Sequence, residues 1–499
     1  MPFIDRLTVE GLRGFRHGQS LKFAQPTGEH GSGLTILVGA NNSGKSTVVE
    51  AMKALGKQDP TSYSVGKRNA YDNERIRIQA EFVDRRRNRL ETVEDGGSQT
   101  RWHREVESSE LDIAIIQSRR GFNPFFGMSA GYDRRTYNQN NFDHSGYRPQ
   151  VLNDQFASRL FRILGDTAGA KAPFDQMLGE VLGYVPKWTI DQTDNGQYFV
   201  KFELATASHY HSSEGVGEGI VSLFALIDQL YDSDDQSVIV IDEPELSLHP
   251  QLQRRLRALI SKLSADRQIA YTTHSPFFVD WSDIRAGAEV ARSYKDEDNN
   301  CILSQASRSA IAEIISLMNN VYNPHTLGLN ASEVFFIEDN VIITEGQEDV
   351  IIFDKISEQI GQTLHGSFYG WGAGGAGNIS KVCGLLESLG YTKVVAIFDG
   401  DKKSEAEMCR SKYPKYHIEV LPADDIRYKP AQSEIPEKSG LWMKGGLDVS
   451  KVDDTKALYK NINNYLDEAS LPAIICPLMW LLAIRANGDG PTCAASGSG

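Results

Sequence analysis

Gly39-Ala40-Asn41-Asn42-Ser43-Gly44-Lys45-Ser46-Thr47 follows an apolar run over 34–38 and opens a helical pattern over 47–55. A strand, a glycine-rich loop and a helix start, in that order, make a Walker A phosphate cradle. The glycines let backbone N–H groups wrap phosphates, and the helix N-terminus adds partial positive charge. In such a cradle Lys45 reaches the terminal phosphates and Ser46 ligates Mg2+, with Gly39, Asn42, Ser43, Gly44 and Thr47 completing the nucleotide-binding set. A chance glycine turn would not require both flanking elements.

The chain has 499 residues, 24% of them charged and 40% hydrophobic, which is a soluble globular composition with room for two or more domains. Its formal charge of −14 excludes nucleic-acid binding over the whole surface, because such binders neutralise phosphates with clustered Lys and Arg. Any such contact must be a local patch. The densest basic cluster is Arg85, Arg86, Arg87 and Arg89, with Arg101 and Arg104 beyond a polar loop over 91–100. It reads either as a DNA-backbone contact or as a solvated hairpin. The second is preferred, since Trp102 is the only aromatic ring interleaved with these arginines. The cysteines, Cys301, Cys383, Cys409, Cys476 and Cys493, contain no C-x-x-C pair, so a reducing cytoplasm is expected and neither a disulfide framework nor a zinc site is indicated. Residues 1–10 lack a leader pattern, and the longest apolar run, 473–484, is interrupted by Pro477, so no membrane association is expected. Residues 486–499 read as a flexible tail.

Val238-Ile239-Val240-Ile241-Asp242-Glu243-Pro244-Glu245 is a hydrophobic strand ending in acids. That is a Walker B, in which Asp242 orients Mg2+ through water and Glu243 polarises the attacking water. With strand-like runs at 4–9 and 21–23, "LTVEGLRGFR" leading to "LTILVGANNSGKST" resembles the start of ATP-binding-cassette-type heads of the RecF, SMC and OLD (overcoming lysogenization defect) group. The resemblance implies roles for further residues. Gln117, after a strand over 111–116, stands where related heads place a metal- and water-sensing glutamine; a solvated strand-end residue is the alternative. Ser212-Ser213-Glu214-Gly215-Val216-Gly217 resembles a divergent signature in which Ser213 and Gly215 face the γ-phosphate of a partner's nucleotide. Leu246-Ser247-Leu248-His249-Pro250 matches the D-loop, and His274 fits the switch histidine. A surface loop over 121–150 and helical periodicity over 154–182 fit a short insertion used for dimer contacts.

A second constellation begins at Val341-Ile342-Ile343-Thr344-Glu345-Gly346-Gln347-Glu348-Asp349, a buried strand ending in an acid before a helix over 350–360. Another buried strand over 394–398 ends in Asp399-Gly400-Asp401. A Rossmann-like parallel sheet would bring Glu345 and the Asp399/Asp401 pair to one edge. Converging carboxylates repel unless a divalent cation neutralises them, and oxygen-only ligands suit Mg2+ or Mn2+. The pattern resembles a TOPRIM domain, which implies Glu345, Asp349, Asp399 and Asp401 as metal ligands and Glu345, Asp399 and Asp401 as catalytic groups. The run over 370–378 lacks the register of a dinucleotide fingerprint and reads as a flexible loop beside the metal site. OLD-type nucleases carry a further acid and a lysine; Asp425 and Lys444 are candidates, with surface residues as the default reading.

The whole arrangement resembles an OLD-family nuclease. It implies an α/β chain with an ABC-type P-loop ATPase head over 1–334, a helical dimerisation-type insertion at about 151–185, and a Rossmann-like TOPRIM domain over 335–485. It further implies a DNA endonuclease using ATP and Mg2+ (or Mn2+), assembled as a homodimer or tetramer. The setting would be bacterial anti-phage defence of Gabija or retron type, with a helicase-like protein or a retron reverse transcriptase and its DNA–RNA hybrid as partner. The competing reading is a non-nucleolytic SMC- or RecF-like ATPase in DNA repair or scaffolding, whose carboxylates only fix structure. A TOPRIM primase or topoisomerase would show further domains and a tyrosine set apart as nucleophile.

Overall fold

In the computed structural model the apolar run before the phosphate cradle forms the strand Leu34–Gly39, buried along nearly all its length as a central parallel strand is. The structure describes residues 2–57, 60–69, 75–107, 111–118, 160–165, 169–194, 198–203, 210–212, 217–233, 237–318, 335–337, 339–431, 436–443 and 445–467. They fall into two compact units, one within 1–337 plus 380–391 and the other within 338–379 plus 392–499. None of the helices among them is long and apolar enough to cross a membrane.

The first unit is built on a six-stranded sheet in the order Cys301–Gln305, Glu289–Lys295, Leu34–Gly39, Gln268–Thr273, Val238–Asp242, Ile113–Ile116. Every pairing is parallel except the hairpin joining the first two strands. Gln268–Thr273 therefore lies between the Walker A and Walker B strands. Parallel strands end on one edge, which gathers Lys45, His274, Asp242, Glu243 and Gln117 there.

A five-stranded antiparallel sheet, in the order Gln19–Lys22, Ile4–Glu10, Arg77–Phe82, Arg87–Thr92, Thr100–Arg104, covers the helix Lys45–Leu55. Its residues alternate: Leu7, Val9, Ile78, Ala80 and Leu90 join Val48, Met52 and Leu55 in the core, and polar residues face outward. The polar loop expected over 91–100 is shorter than that, because Glu91 and Thr92 continue their strand and pair with Arg101 and Thr100.

Of the helix expected over 154–182, residues 160–165 and Lys171–Leu182 are helical, with Gly169 at φ +94° in between, and 154–159 lie outside the described residues. A three-stranded antiparallel sheet, Lys187–Gln192, Tyr198–Glu203 and Tyr210–Ser212, follows it. The sequence reading had left that sheet unassigned. Trp188, Phe174, Phe202 and Phe224 pack edge-on or tilted at ring separations of 5.1–5.6 Å and supply its core.

The second unit holds a four-stranded parallel sheet in the order Ser367–Phe368, Val341–Ile343, Val394–Phe398, His417–Val420. A small sheet of Asp425–Arg427, Gly440–Met443 and Gly446–Leu447 accompanies it. Ile342, Phe353, Ile356, Val395, Ile397, Tyr459 and Ile462 fill the space between the parallel sheet and the helices Gln347–Ile360 and Val452–Asp467.

Candidate nucleotide and carboxylate sites

The phosphate cradle is shaped by backbone that side chains would obstruct. Gly39 sits at φ +148°, and a Cβ there would lie 2.1 Å from the Ser293 carbonyl oxygen. Asn42 (φ +61°) and Gly44 (φ +106°) complete a turn that leads into the helix. The Ser293 hydroxyl donates to the Ser43 carbonyl at 2.6 Å, tying the loop to the neighbouring strand. Lys45 Nζ donates to the carbonyls of Gly39 (3.0 Å) and Ala40 (2.9 Å). Burial pulls the Lys45 ammonium down to about 8, against the opposing pull of Glu243, Asp242 and Glu245. Ser46 is exposed at the helix start and Thr47 is buried.

Across the sheet edge the Thr272 hydroxyl donates to Asp242 at 2.6 Å. Glu243 adopts a left-handed backbone (φ +46°), unusual for a residue with a side chain, and its N–H donates to Thr272 Oγ1 at 3.1 Å. His274 Nε2 lies 3.4 Å from Glu243 Oε1, and the His274 N–H donates to Glu245 at 2.6 Å. Burial, then Lys45, holds the imidazole below its ordinary value, which favours the neutral ring. Glu245, unassigned from sequence, is half-buried with its carboxyl pushed up by desolvation, and it holds the His274 backbone. Gln117 ends the edge strand beside the Walker B strand. Ser213 and Gly215 lie outside the described residues.

In the second unit, Ile343 and Ala396 pair in parallel register, so the strand ends bring Glu345 beside Asp399. Glu345 Oε1 accepts the Asp399 N–H at 3.0 Å. Asp349, in the first turn of Gln347–Ile360, accepts the Gly346 N–H at 2.8 Å. Gly372 (φ +88°) packs so tightly on Gly346 that a Cβ would come within 2.6 Å of its backbone. The Gly375 N–H donates to the Glu345 carbonyl at 2.8 Å, so the glycine-rich run braces the glutamate.

Burial pushes Asp399 up to about 8, with Glu345, Asp349, Asp425 and Asp401 adding in that order. Burial also pushes Asp349 to about 6, with Glu345 and Asp425 adding to it, and raises Glu345. Asp425 corrects the default surface reading: it is buried, it acts on all three acids, and it pairs with Lys429. Asp401 accepts from Lys438 at 2.6 Å, with Lys402 3.9 Å away. Lys429 and Lys438 were missed from sequence because nothing in the local pattern marks them. Lys444 lies outside the described residues.

Among the described residues no three His, Cys, Asp or Glu side chains close into a metal-ligand set. Glu345 and Asp349 are instead turned onto backbone N–H groups, and Asp401 and Asp425 onto lysines. The donor chemistry nonetheless fits a hard divalent cation. It offers oxygen ligands only, from acids whose charged forms burial and mutual repulsion disfavour until positive charge is supplied.

Residues 34–280 match the family model described as "AAA domain, putative AbiEii toxin, Type IV TA system", and residues 335–401 match "Overcoming lysogenization defect protein-like, TOPRIM domain". The chain thus joins an AAA-type ATPase domain to an OLD-like TOPRIM domain. The fold is accordingly a P-loop ATPase followed by a TOPRIM domain. The curated OLD nuclease of Thermus scotoductus is 31% identical over 148 residues, covering 28% of this chain. The match spans 26% of that relative's length. The SMC head domain from Thermotoga maritima aligns over 61% of this chain and 99% of its own, at 11% identity and a TM-score of 0.37. The Smc head with an extended coiled coil bound to the C-terminal domain of ScpA, from Pyrococcus furiosus, aligns over 64% and 100%, at 14% identity and 0.40. The fold rests on the chain's own strand order.

Proposed function

We propose that the chain is an ATP-binding, metal-dependent DNA endonuclease. The observation that carries this reading is the cluster of Glu345, Asp349 and Asp399, three acids on two neighbouring strand ends and a helix start, each raised by burial and then by neighbouring acids, Asp425 among them. Glu345, Asp349, Asp399 and Asp401 would hold Mg2+ or Mn2+. A bound divalent pair supplies an activated water and positive charge for the leaving oxygen of a phosphodiester. Glu345 holds the Asp399 backbone in place, so the two strand ends act as one rigid frame. Asp425 keeps Lys429 at the rim, and Asp401 keeps Lys438 there, where released ammonium groups can meet phosphate.

At the nucleotide site, Lys45 and the exposed Ser46 would hold the phosphates and Mg2+, Asp242 would orient that ion, and Glu243 with His274 would position water at the γ-phosphate. Gly39, Asn42, Ser43, Gly44 and Thr47 would shape the cradle, and Ser213 and Gly215 would approach the nucleotide of a second copy. Nucleotide would gate cleavage. Domains over 1–334 and 335–485, a homodimer or tetramer in the cytoplasm, and a part in anti-phage defence complete the proposal, with the TOPRIM match beginning at residue 335 in support of the boundary.

The test is cleavage of supercoiled and linear DNA with Mg2+ or Mn2+, with and without ATP, beside Asp399→Asn and Lys45→Ala. Cleavage that vanishes in Asp399→Asn and changes its ATP response in Lys45→Ala supports the proposal. Metal- and nucleotide-binding protein that cuts nothing would favour the non-nucleolytic ATPase.

A further inference from the structure

We infer that the outward face of the N-terminal antiparallel sheet is a docking surface for the phosphate backbones of duplex DNA. Strand register builds this face. Arg77, Glu91 and Arg101 stand in one row across three strands, Arg89 and His103 in the next, and Arg87 in a third. One carboxylate anchors most of the grid: Glu91 lies 3.9 Å from Arg77, 3.3 Å from Arg89, 3.8 Å from Arg101 and 3.1 Å from His103. Glu10 also pairs with Arg77 at 2.8 Å and Glu81 with Arg87 at 3.1 Å, so three carboxylates face four guanidinium groups and the face keeps one excess positive charge on a chain whose formal net charge is −14. Glu91 is nearly buried, at 8% exposure, whereas the arginine side chains around it are 39–53% exposed and Arg87 is 62% exposed. The anchor is therefore beneath and the cations above.

This arrangement changes the weight of the arginine cluster read from the sequence. A solvated hairpin would scatter its charges, whereas here they share one side of a rigid sheet whose other side is hydrophobic core. Guanidinium groups held by a carboxylate lose little rotamer freedom when they meet phosphate. Steps of about 4.8 Å between strands set the outer strands, with Arg77 and Arg101, about 10 Å apart, within reach of phosphates on both sides of a groove about 6 to 12 Å wide. Trp102 packs against the core, and the named groups of the face include no aromatic ring for an unpaired base to stack on. The contact is thus to backbone, independent of sequence. The choice of DNA over another polyanion rests on the nuclease reading; the charged face does not.

The experiment measures binding of the full chain to a fluorescent 30-base-pair duplex in EDTA, across a salt series, for wild type, Arg87→Gln/Arg89→Gln/Arg101→Gln, and Glu91→Gln. Each lost phosphate contact removes about 0.9 from the slope of log K against log salt, so the triple variant should bind at least tenfold more weakly at about 0.1 M salt, with a slope shallower by about 2.7. Glu91→Gln, which removes the central negative charge, should bind severalfold more tightly. Thermal melting and ATP binding serve as controls for folding. Unchanged affinity and slope in the triple variant, weaker binding by a folded Glu91→Gln, or a single strand bound as tightly as the duplex would overturn the inference. Binding lost in the triple variant by a chain that cuts no DNA would keep this surface and remove the nuclease reading. Cleavage with unaltered binding would do the reverse.

Discussion

Glu345 Oε1 accepts the backbone N–H of Asp399 at 3.0 Å, joining two acidic motifs that lie 54 residues apart. The bond gives the glutamate an architectural task beside its chemical one, and an isosteric change separates the two. Glu345→Gln keeps a carbonyl acceptor for Asp399 while removing the charge. Its melting temperature should stay close to wild type, while Mn2+ affinity measured by calorimetry falls. DNA cleavage should drop at least about 100-fold, equivalent to about 2.7 kcal/mol of barrier. A variant that cuts normally would remove Glu345 from the metal site.

The raised acids predict how stability depends on pH. Unfolded Asp titrates near 3.9, whereas native Asp349 and Asp399 are held up to about 6 and about 8. Between those limits the native state binds more protons than the unfolded one, so the stabilising contribution is complete below about pH 4 and is lost as pH rises toward 8. In EDTA, Asp399→Asn should therefore flatten the melting-temperature profile between pH 6 and 8 and be more stable than wild type at pH 8. Mg2+ should stabilise wild type more at pH 8 than at pH 6. Parallel profiles in scanning fluorimetry would show that Asp399 is ordinarily ionised.

Much of both sites was legible because their signals are local. Walker A, Walker B and the E-G-x-x-D and D-x-D runs each put the reactive residue at the end of an apolar strand, and parallel pairing does the rest. What escaped depends on residues far apart in sequence. Asp425 looked like a surface acid because its burial comes from the small sheet around it, whose partner strand is Gly440–Met443. The arginines over 85–104 read as a hairpin because only the pairing of three strands reveals that Arg77, a residue outside the cluster, completes the grid around Glu91. The strands over 187–212 carry short, mixed patterns, and their core is aromatic rings contributed by helices before and after them.

Gln268 was another silent residue, since a glutamine starting a strand has no distinctive pattern. Its side chain is buried, accepts the Ile4 N–H at 2.8 Å, and donates to the carbonyls of Ile4 (2.7 Å) and Ala24 (2.9 Å). One side chain thus joins the antiparallel sheet to the strand between Walker A and Walker B. Gln268→Leu would strand two buried backbone groups, the Ile4 N–H and the Ala24 carbonyl, each at about 1–3 kcal/mol, while Gln25 still donates to the Ile4 carbonyl. A loss of about 2 kcal/mol or more in urea denaturation is the expected result, and a loss below about 1 kcal/mol would show that the sheets find other partners.

Lys45 offers a test of the nucleotide site that does not depend on turnover. With its amine lowered to about 8 by burial, roughly half of the protein carries a neutral lysine at pH 8. The Gly39 and Ala40 carbonyls hold that amine at the mouth of the cradle, where the terminal phosphates of ATP would add negative charge. That charge favours the ammonium form and raises its pKa, so binding at pH 8 should draw a proton from solvent. Calorimetry of MgATP binding in two buffers of different ionisation enthalpy should show uptake of about half a proton at pH 8, falling toward zero near pH 7, where the lysine is already charged. Lys45→Ala should weaken binding at least tenfold. MgATP binding at pH 8 without proton uptake would mean that Lys45 is fully charged before nucleotide arrives, and that burial does not tune it.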